Sequence, residues 1–191
     1  MLTRVIPIAT VFAVGAVAFS IRSAVAAPAS VPISMYSTST APTALDDATI
    51  VAIFDEANTA DVETGELAMK KGSTKEIRDF GAMLARDHKN VRQQGRDLAK
   101  KLGVKPTAPK PDPYAASHAE AMKKLEALSG KEFDRAFLEH EVAYHDAVIA
   151  AITNTLLPAT QNAELKDLEK MVAPAFVAHR DAAKNMISKM M

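Results

Sequence analysis

Beyond residue 45, apolar residues recur at intervals of three and four, the period of an amphipathic helix. Ile50, Ile53, Ala57, Ala60, Thr64, Leu67 and Ala68 share one face of a first helix, predicted from about Asp46 to Lys71 with Asp46 or Asp47 as its cap and Gly72 as its stop. The pattern Ser73-x-x-Glu76 reads as a capping box opening a second helix that ends at Gly103, with Ile77, Leu84, Val91 and Gly95 on its inner face. Residues 103–113, GVKPTAPKPDP, hold four prolines in eleven positions and are neither helix nor central strand, which makes them a crossover loop. A shorter helix from about Tyr114 to Leu128 follows. A second box, Ser129-x-x-Glu132, then opens a third long helix from about Lys131 to Leu156, carrying Phe133, Phe137, Tyr144, Val148 and Ile152 inward and stopped by Pro158. The last runs from about Asn162 to Met190 with Leu165, Leu168, Val172, Phe176, Ala183 and Met186 on one face, and Pro174 within it predicts a kink. Four long helices with one long middle connection predict an all-α fold: a ferritin-like four-helix bundle with a Pro-rich crossover loop and one extra short helix.

The same wheel places polar side chains where the pattern calls for apolar ones. His88 falls among Ile77, Leu84, Val91 and Gly95, and His179 among Leu168, Val172, Phe176 and Ala183. Glu141 lies inside the face of the third helix, with His145 one turn on and Asp134 seven residues before it. In the first helix Asp61 sits on the shoulder of the apolar face and Glu63 on its other flank. An unpaired buried polar group costs about 1–3 kcal/mol, and a buried charge more. One shared arrangement accounts for such a set better than unrelated violations do. Either the groups hydrogen-bond to one another, or Asp61, Glu63, His88, Glu141, His145 and His179 hold a metal ion. The pattern alone leaves both open.

The remaining polar and sulfur-bearing residues have plainer explanations. His118 lies on the short helix beside polar neighbours and reads as a surface residue. His140 lies at the edge of the third helix, five residues from His145, a spacing that does not stack. The methionines recur at helical spacing and fill core.

The first segment is not part of this fold. Arg4, the apolar run from Val5 to Ile21 and the Ala24-Val25-Ala26 site make residues 1–26 a cleavable signal peptide, and the Pro/Ser/Thr/Ala-rich residues 27–44 a flexible linker, leaving 45–191 as the bundle domain. Cleavage removes two arginines and no acid, so 21 basic residues face 23 acidic ones. This balance excludes the basic footprint of a nucleic-acid binder. The chain has no cysteine, which excludes disulfides, thiolate ligands and a cysteine nucleophile. No apolar run of about 18 residues follows the leader, so no spanning helix is expected after cleavage, and the destination is the periplasm or the exterior.

Several segments carry a resemblance. ADVETGELA (60–68), MLARDHKNV (83–91), LSGKEFDRAFL (128–138), the His145-Asp146 pair and MVAPAFVAHR (171–180) follow the order of the DUF4142 family, which the chain resembles over about residues 46–185. These are exported bacterial proteins of unknown function, usually described as outer membrane proteins, and the resemblance implies a ferritin-like bundle. The family's pattern matches Asp61 and Glu63, Asp87 and His88, Phe133 and Asp134, His145, and Pro174 with His179. Asp61 stands where the family commonly has Glu, an arm one methylene longer, and Glu141 has no counterpart in the usual pattern.

The resemblance brings no known activity. Ferritin-like di-iron sites need a Glu three residues before each ligating His. Here those positions are Ala85, Val142 and Phe176. A His-rich site for one ion, zinc or copper in preference to di-iron, fits the imidazoles better. No nucleophile elbow, phosphate loop or zinc-protease motif is present. The sequence therefore points first to a non-enzymatic binding module, active in metal handling or envelope stress, and second to a metal-dependent enzyme using the same site, which would need an open coordination position and a substrate pocket that the sequence does not reveal. The alternative is a structural or partner-binding bundle, pairing with a second copy or an envelope protein, whose polar core is only hydrogen-bonded.

Overall fold

A computed structural model describes residues 45–110 and 112–190. The predicted leader (1–26) and linker (27–44) lie outside the described residues. The fold is all-α, built from α1 (Asp47–Lys71), α2 (Lys75–Leu102), α3 (Pro113–Ala127), α4 (Gly130–Ala151), a π-helical segment (Ile152–Leu156), the short α5 (Leu157–Ala159) and α6 (Ala163–Lys189). None of these helices is long and apolar enough to cross a membrane.

Local chemistry sets most of the helix ends. Asp46 caps α1 by accepting from the Thr49 N–H at 2.8 Å, and Asn162 caps α6 by accepting from the Leu165 N–H at 3.1 Å. Gly103 ends α2 in the left-handed region, at φ 67°. Both predicted capping boxes differ. The cap of α2 is Thr74, whose hydroxyl accepts from the Ile77 N–H at 3.2 Å. Ser73 is drawn away by a tertiary partner: Asp134 on α4 accepts from its backbone N–H at 2.9 Å and from its hydroxyl. Ser129 stands at the N-cap of α4 but makes no side-chain bond there.

The third long helix also ends differently from the expectation, widening to π geometry before its stop. Pro158 has no N–H to donate back. The Thr153 hydroxyl donates to the Ile149 carbonyl at 2.9 Å, competing with the backbone ladder. The Leu157 N–H then bonds five residues back, to Ile152.

α1 packs along α2 and α4 along α6, with α1 also meeting α4, α2 meeting α6, and α3 lying against α1 and α4. The closest approach is between α1 and α2. A Cβ on Gly65 would lie 2.6 Å from the Gly81 carbonyl oxygen, and one on Gly81 would lie 2.6 Å from that of Gly65. Two glycines facing each other are what lets these backbones touch.

The apolar core is in two parts. One cluster holds Ile50, Phe54, Ala99, Leu156, Leu165 and Phe176, and the other Ala68, Phe80, Leu84, Phe133, Phe137 and Ala183. Each long helix contributes to both, so the clusters also give the helix directions. α1 and α6 run from the first cluster to the second, and α2 and α4 run back. Because α2 and α4 point the same way, the Pro-rich loop and α3 must carry the chain the length of the assembly between them. In every long helix buried polar residues lie between the two clusters: Asn58, Asp61 and Thr64 in α1, His88 in α2, Glu141 and His145 in α4, and His179 in α6.

Candidate metal centre

The polar layer is built from helix spacing. Asn58 and Asp61 are three apart on α1, and Glu141 and His145 four apart on α4, so each pair shares a face. One nitrogen from each of His88, His145 and His179 lies within 4.8 Å of the other two. A second such set, Asp61, Glu141 and His145, shares His145 with the first. Phe176 closes one side, its ring centroid 5.0 Å from that of His88 and 5.7 Å from that of His145.

The hydrogen bonds fix the imidazole protons. Asn58 Nδ2 donates to the Phe54 carbonyl at 2.8 Å, which turns its Oδ1 toward Nδ1 of His88 at 2.9 Å. His88 therefore carries its proton on Nδ1, and Nε2 holds the lone pair. Nδ1 of His145 is 2.9 Å from the Glu141 carbonyl, 3.5 Å from Glu141 Oε2 and 3.9 Å from Asp61 Oδ1, all acceptors. It too is the protonated nitrogen, and Nε2 of His145 has no partner among the described residues.

His179 is caught between two acceptors, with Nδ1 3.1 Å from Nε2 of His88 and Nε2 3.3 Å from Asp87 Oδ2. A neutral ring with its proton on Nε2 satisfies Asp87 and leaves two lone pairs facing each other. The other tautomer satisfies His88 and leaves a lone pair against a carboxylate. The arrangement is one positive charge short. Either His179 takes a second proton or a cation enters. Burial opposes the proton by pushing the His179 pKa down, although Asp87 pulls the other way.

Burial governs the rest of the layer as well. His88 is pushed down to about 2, by burial and then by its two histidine neighbours, and His145 to about 4, by burial and then by His179. Both rings are neutral at pH 7, the form that binds metal. Burial pushes Glu141 up to about 7, and burial together with Glu141 pushes Asp61 well above the usual carboxylate range. Asp61 Oδ2 and both oxygens of Glu141 have no hydrogen-bond partner among the described residues. The converging inner nitrogens of three imidazoles form a donor set that a divalent cation would satisfy, and the buried Asp61 and Glu141 carboxyls lie behind them, 3.4 Å from Nδ1 of His88 and 3.5 Å from Nδ1 of His145.

Of the six residues singled out in the sequence, the structure brings together Asp61, His88, Glu141, His145 and His179. Glu63 is not among them. It lies half-exposed on another face of α1, with its Oε2 2.7 Å from Nε2 of His118. Asp134 is buried but committed to Ser73. Asn58 escaped the sequence reading, which followed only ionisable groups; its place one turn after Phe54 and one before Asp61 was visible on the same wheel.

The family described as Domain of unknown function (DUF4142) matches residues 34–186, and the chain belongs to it. No curated protein and no solved structure matches the chain.

Proposed function

We propose that this DUF4142 protein is an exported, ferritin-like helical bundle that binds one divalent transition-metal ion between its four long helices. His88, His145 and His179 are the ligands we assign, with Asp61 and Glu141 behind them, their carboxyl oxygens 3.4 Å from the outer Nδ1 of His88 and 3.5 Å from that of His145. The observation that carries this reading is the placing of the outer nitrogens. Those of His88, His145 and His179 face Asn58 Oδ1, the Glu141 carbonyl and Asp87 Oδ2. An imidazole that donates its outer N–H to such an acceptor presents its inner lone pair to a metal. The 3.1 Å between Nε2 of His88 and Nδ1 of His179 suits two ligands on one ion, whose donor atoms are about 3.0–3.4 Å apart when bonds are about 2.0–2.1 Å.

Zinc or copper fits three imidazoles with carboxylate support, and the missing Glu-x-x-His pairs argue against a di-iron centre. We assign the protein a binding role in metal handling or envelope stress, outside the cytoplasm after cleavage behind Ala26. The five side chains lie within the core, each 5% exposed or less. Metal analysis of protein purified without chelator or affinity tag tests the reading. One equivalent of zinc or copper supports it. Protein that neither carries nor takes up either ion leaves the layer as a hydrogen-bonded core.

A further inference from the structure

An ion bound by the three histidines has to reach them from solvent, and their surroundings are nearly closed. His88, His145, Asp61 and Glu141 are at most 1% exposed, and His179 is 5% exposed. Two features of the structure approach the layer from outside.

The first is a cavity of about 340 Å³ between α1, α3 and α4. Phe176, whose ring packs on His88 and His145, forms part of its wall. The lining is mostly apolar, including Ile53, Val148, Ile152 and Leu156. A divalent cation that gives up water in such a space gains little in return.

The second is Asp87, on α2 where it meets α6. Its side chain is one-third exposed, and its Oδ2 lies 3.3 Å from Nε2 of His179. Among the described residues this is the one hydrogen bond from the histidine layer to a side chain that reaches solvent. The other nitrogen of the same ring, Nδ1, lies 3.1 Å from Nε2 of His88. His179 thus spans from the surface carboxylate to the interior. In the tautomer that donates to His88, its Nε2 lone pair faces the carboxylate, a clash that a cation between them resolves. The 3.3 Å gap suits two donors on one ion, about 3.0–3.4 Å apart when bonds are about 2.0–2.1 Å. The other Asp87 oxygen, Oδ1, accepts from Nε of Arg86 at 2.8 Å. Arg180, next to His179, is turned instead to Asp146 and Asp181. Arg86 is the cation that competes at Asp87, and its side chain is exposed enough to swing clear.

We propose that Asp87 and Nε2 of His179 form an outer position through which a divalent cation enters the layer, displacing Arg86 from the carboxylate. The proposal rests on the metal reading above and adds the route. Asp87 draws the hydrated ion to the seam between α2 and α6. Nε2 of His179 then replaces one of its waters, and turning of the His179 side chain carries the ion to the inner nitrogens of His88 and His145. On handover Nδ1 releases its proton to water and Nε2 takes one up, so the ring stays neutral.

The test is kinetic. Zinc chloride is mixed with chelator-stripped protein, and a chromophoric chelator added at intervals reads the zinc not yet taken up. Release is timed in excess chelator. Uptake by the parent should slow several-fold as sodium chloride rises from about 20 to about 500 mM, because an exposed carboxylate attracts the ion. Asp87→Asn keeps an oxygen acceptor for His179 and removes the charge. It should slow uptake about tenfold or more and abolish the salt effect, with release changed less than about threefold. A residue that only orients His179 would show its effect in release instead. Arg86→Gln should take up zinc faster than the parent. Ala147→Phe, which fills the apolar cavity from an exposed position on α4, should take it up at the parent's rate. Circular dichroism confirms that each variant is folded. A parent that takes up no zinc overturns the metal reading and this one with it. A parent that binds zinc overturns the route alone if Asp87→Asn takes it up at the parent's rate, if the loss in that variant lies in release, if Arg86→Gln is no faster, or if Ala147→Phe is slowed.

Discussion

Nε2 of His88 lies 3.1 Å from Nδ1 of His179, and the far nitrogens of the two rings rest on Asn58 and Asp87. The outer acceptors decide what the inner nitrogens present to each other. With both outer positions protonated, two lone pairs face across a gap that a metal ion or an extra proton must occupy. The two apolar clusters above and below exclude water from competing for that role.

Added zinc or copper should therefore stabilise the folded protein by an amount that grows with the logarithm of its concentration relative to its Kd. A ligand at a hundred times its Kd contributes about 2.7 kcal/mol. For a domain of this size that is a rise in Tm of about 5–11 °C, at about 2–4 °C per kcal/mol. His88→Ala should abolish most of the rise, and the metal-free variant should itself lose about 1–3 kcal/mol by stranding Asn58 Oδ1 and Nδ1 of His179. Thermal melts with metal and with chelator measure both. Equal metal-induced rises in parent and variant would place the ion elsewhere.

Asp87 touches the centre only through His179, and its side chain is one-third exposed. Asp87→Ala should leave the metal-free fold within about 1 kcal/mol of the parent, since the residue is not core. Metal affinity should fall about 10–100-fold, because His179 loses the acceptor that orients its ring and fixes its proton. Competition with a chromophoric chelator reads the affinity. An unchanged value would mean that Asp87 does not position His179.

The helices and their inward faces were legible because each depends on residues close in sequence. So was the anomaly of His88, His145 and His179, since three polar residues on apolar faces stand out on any wheel. Tertiary partners were not legible. Nothing in the first turn of α2 shows that Asp134, on another helix, takes Ser73 away from its capping role. Glu63 and Asp61 are two residues apart, and their flanks of α1 looked alike on the wheel. The difference is made by α3, which brings His118 to Glu63 across the crossover connection whose path local sequence does not fix. Pro158 announced the end of α4 but not the π turns that absorb it.

Gly81→Ala should be destabilising even though alanine is the better helix former. The added Cβ would meet the Gly65 carbonyl oxygen at 2.6 Å, the Ala68 Cβ at 2.8 Å and the Met69 nitrogen at 3.1 Å, two of them backbone atoms that cannot swing aside. The gain in helix propensity is at most about 1 kcal/mol. Overpacking against fixed atoms costs about 1–3 kcal/mol, so α1 and α2 must part and the net is a loss. Denaturant unfolding gives the sign directly. A variant as stable as the parent would show that the α1–α2 crossing is looser than the two glycines imply.

The pH dependence of the metal-free protein follows from two opposed sets of groups. Burial holds His145 at about 4 and His88 at about 2, against an ordinary 6.5. Between those values the unfolded chain binds the extra protons. The stability tied to neutral imidazoles is thus whole above pH 6.5 and is lost as pH falls through about 4 and on toward 2. Glu141 is raised from 4.5 to about 7, and Asp61 well above 3.8. Here the folded state keeps the proton, so the contribution is whole below the ordinary carboxylate values and is lost as pH rises, through about 7 for Glu141 and higher for Asp61. The two slopes offset each other between about pH 4.5 and 6.5. Stability should then peak there and decline on both sides, the alkaline decline coming from ionisation of carboxyls that have no counter-ion. A bound cation supplies that counter-ion, so saturating zinc should flatten the alkaline side and its stabilising effect should grow from pH 6 to pH 8. Urea unfolding at stepped pH, with chelator and with zinc, tests both halves. A chelated protein equally stable at pH 6 and pH 9 would show that Asp61 and Glu141 ionise without cost, which buried carboxyls without partners cannot do.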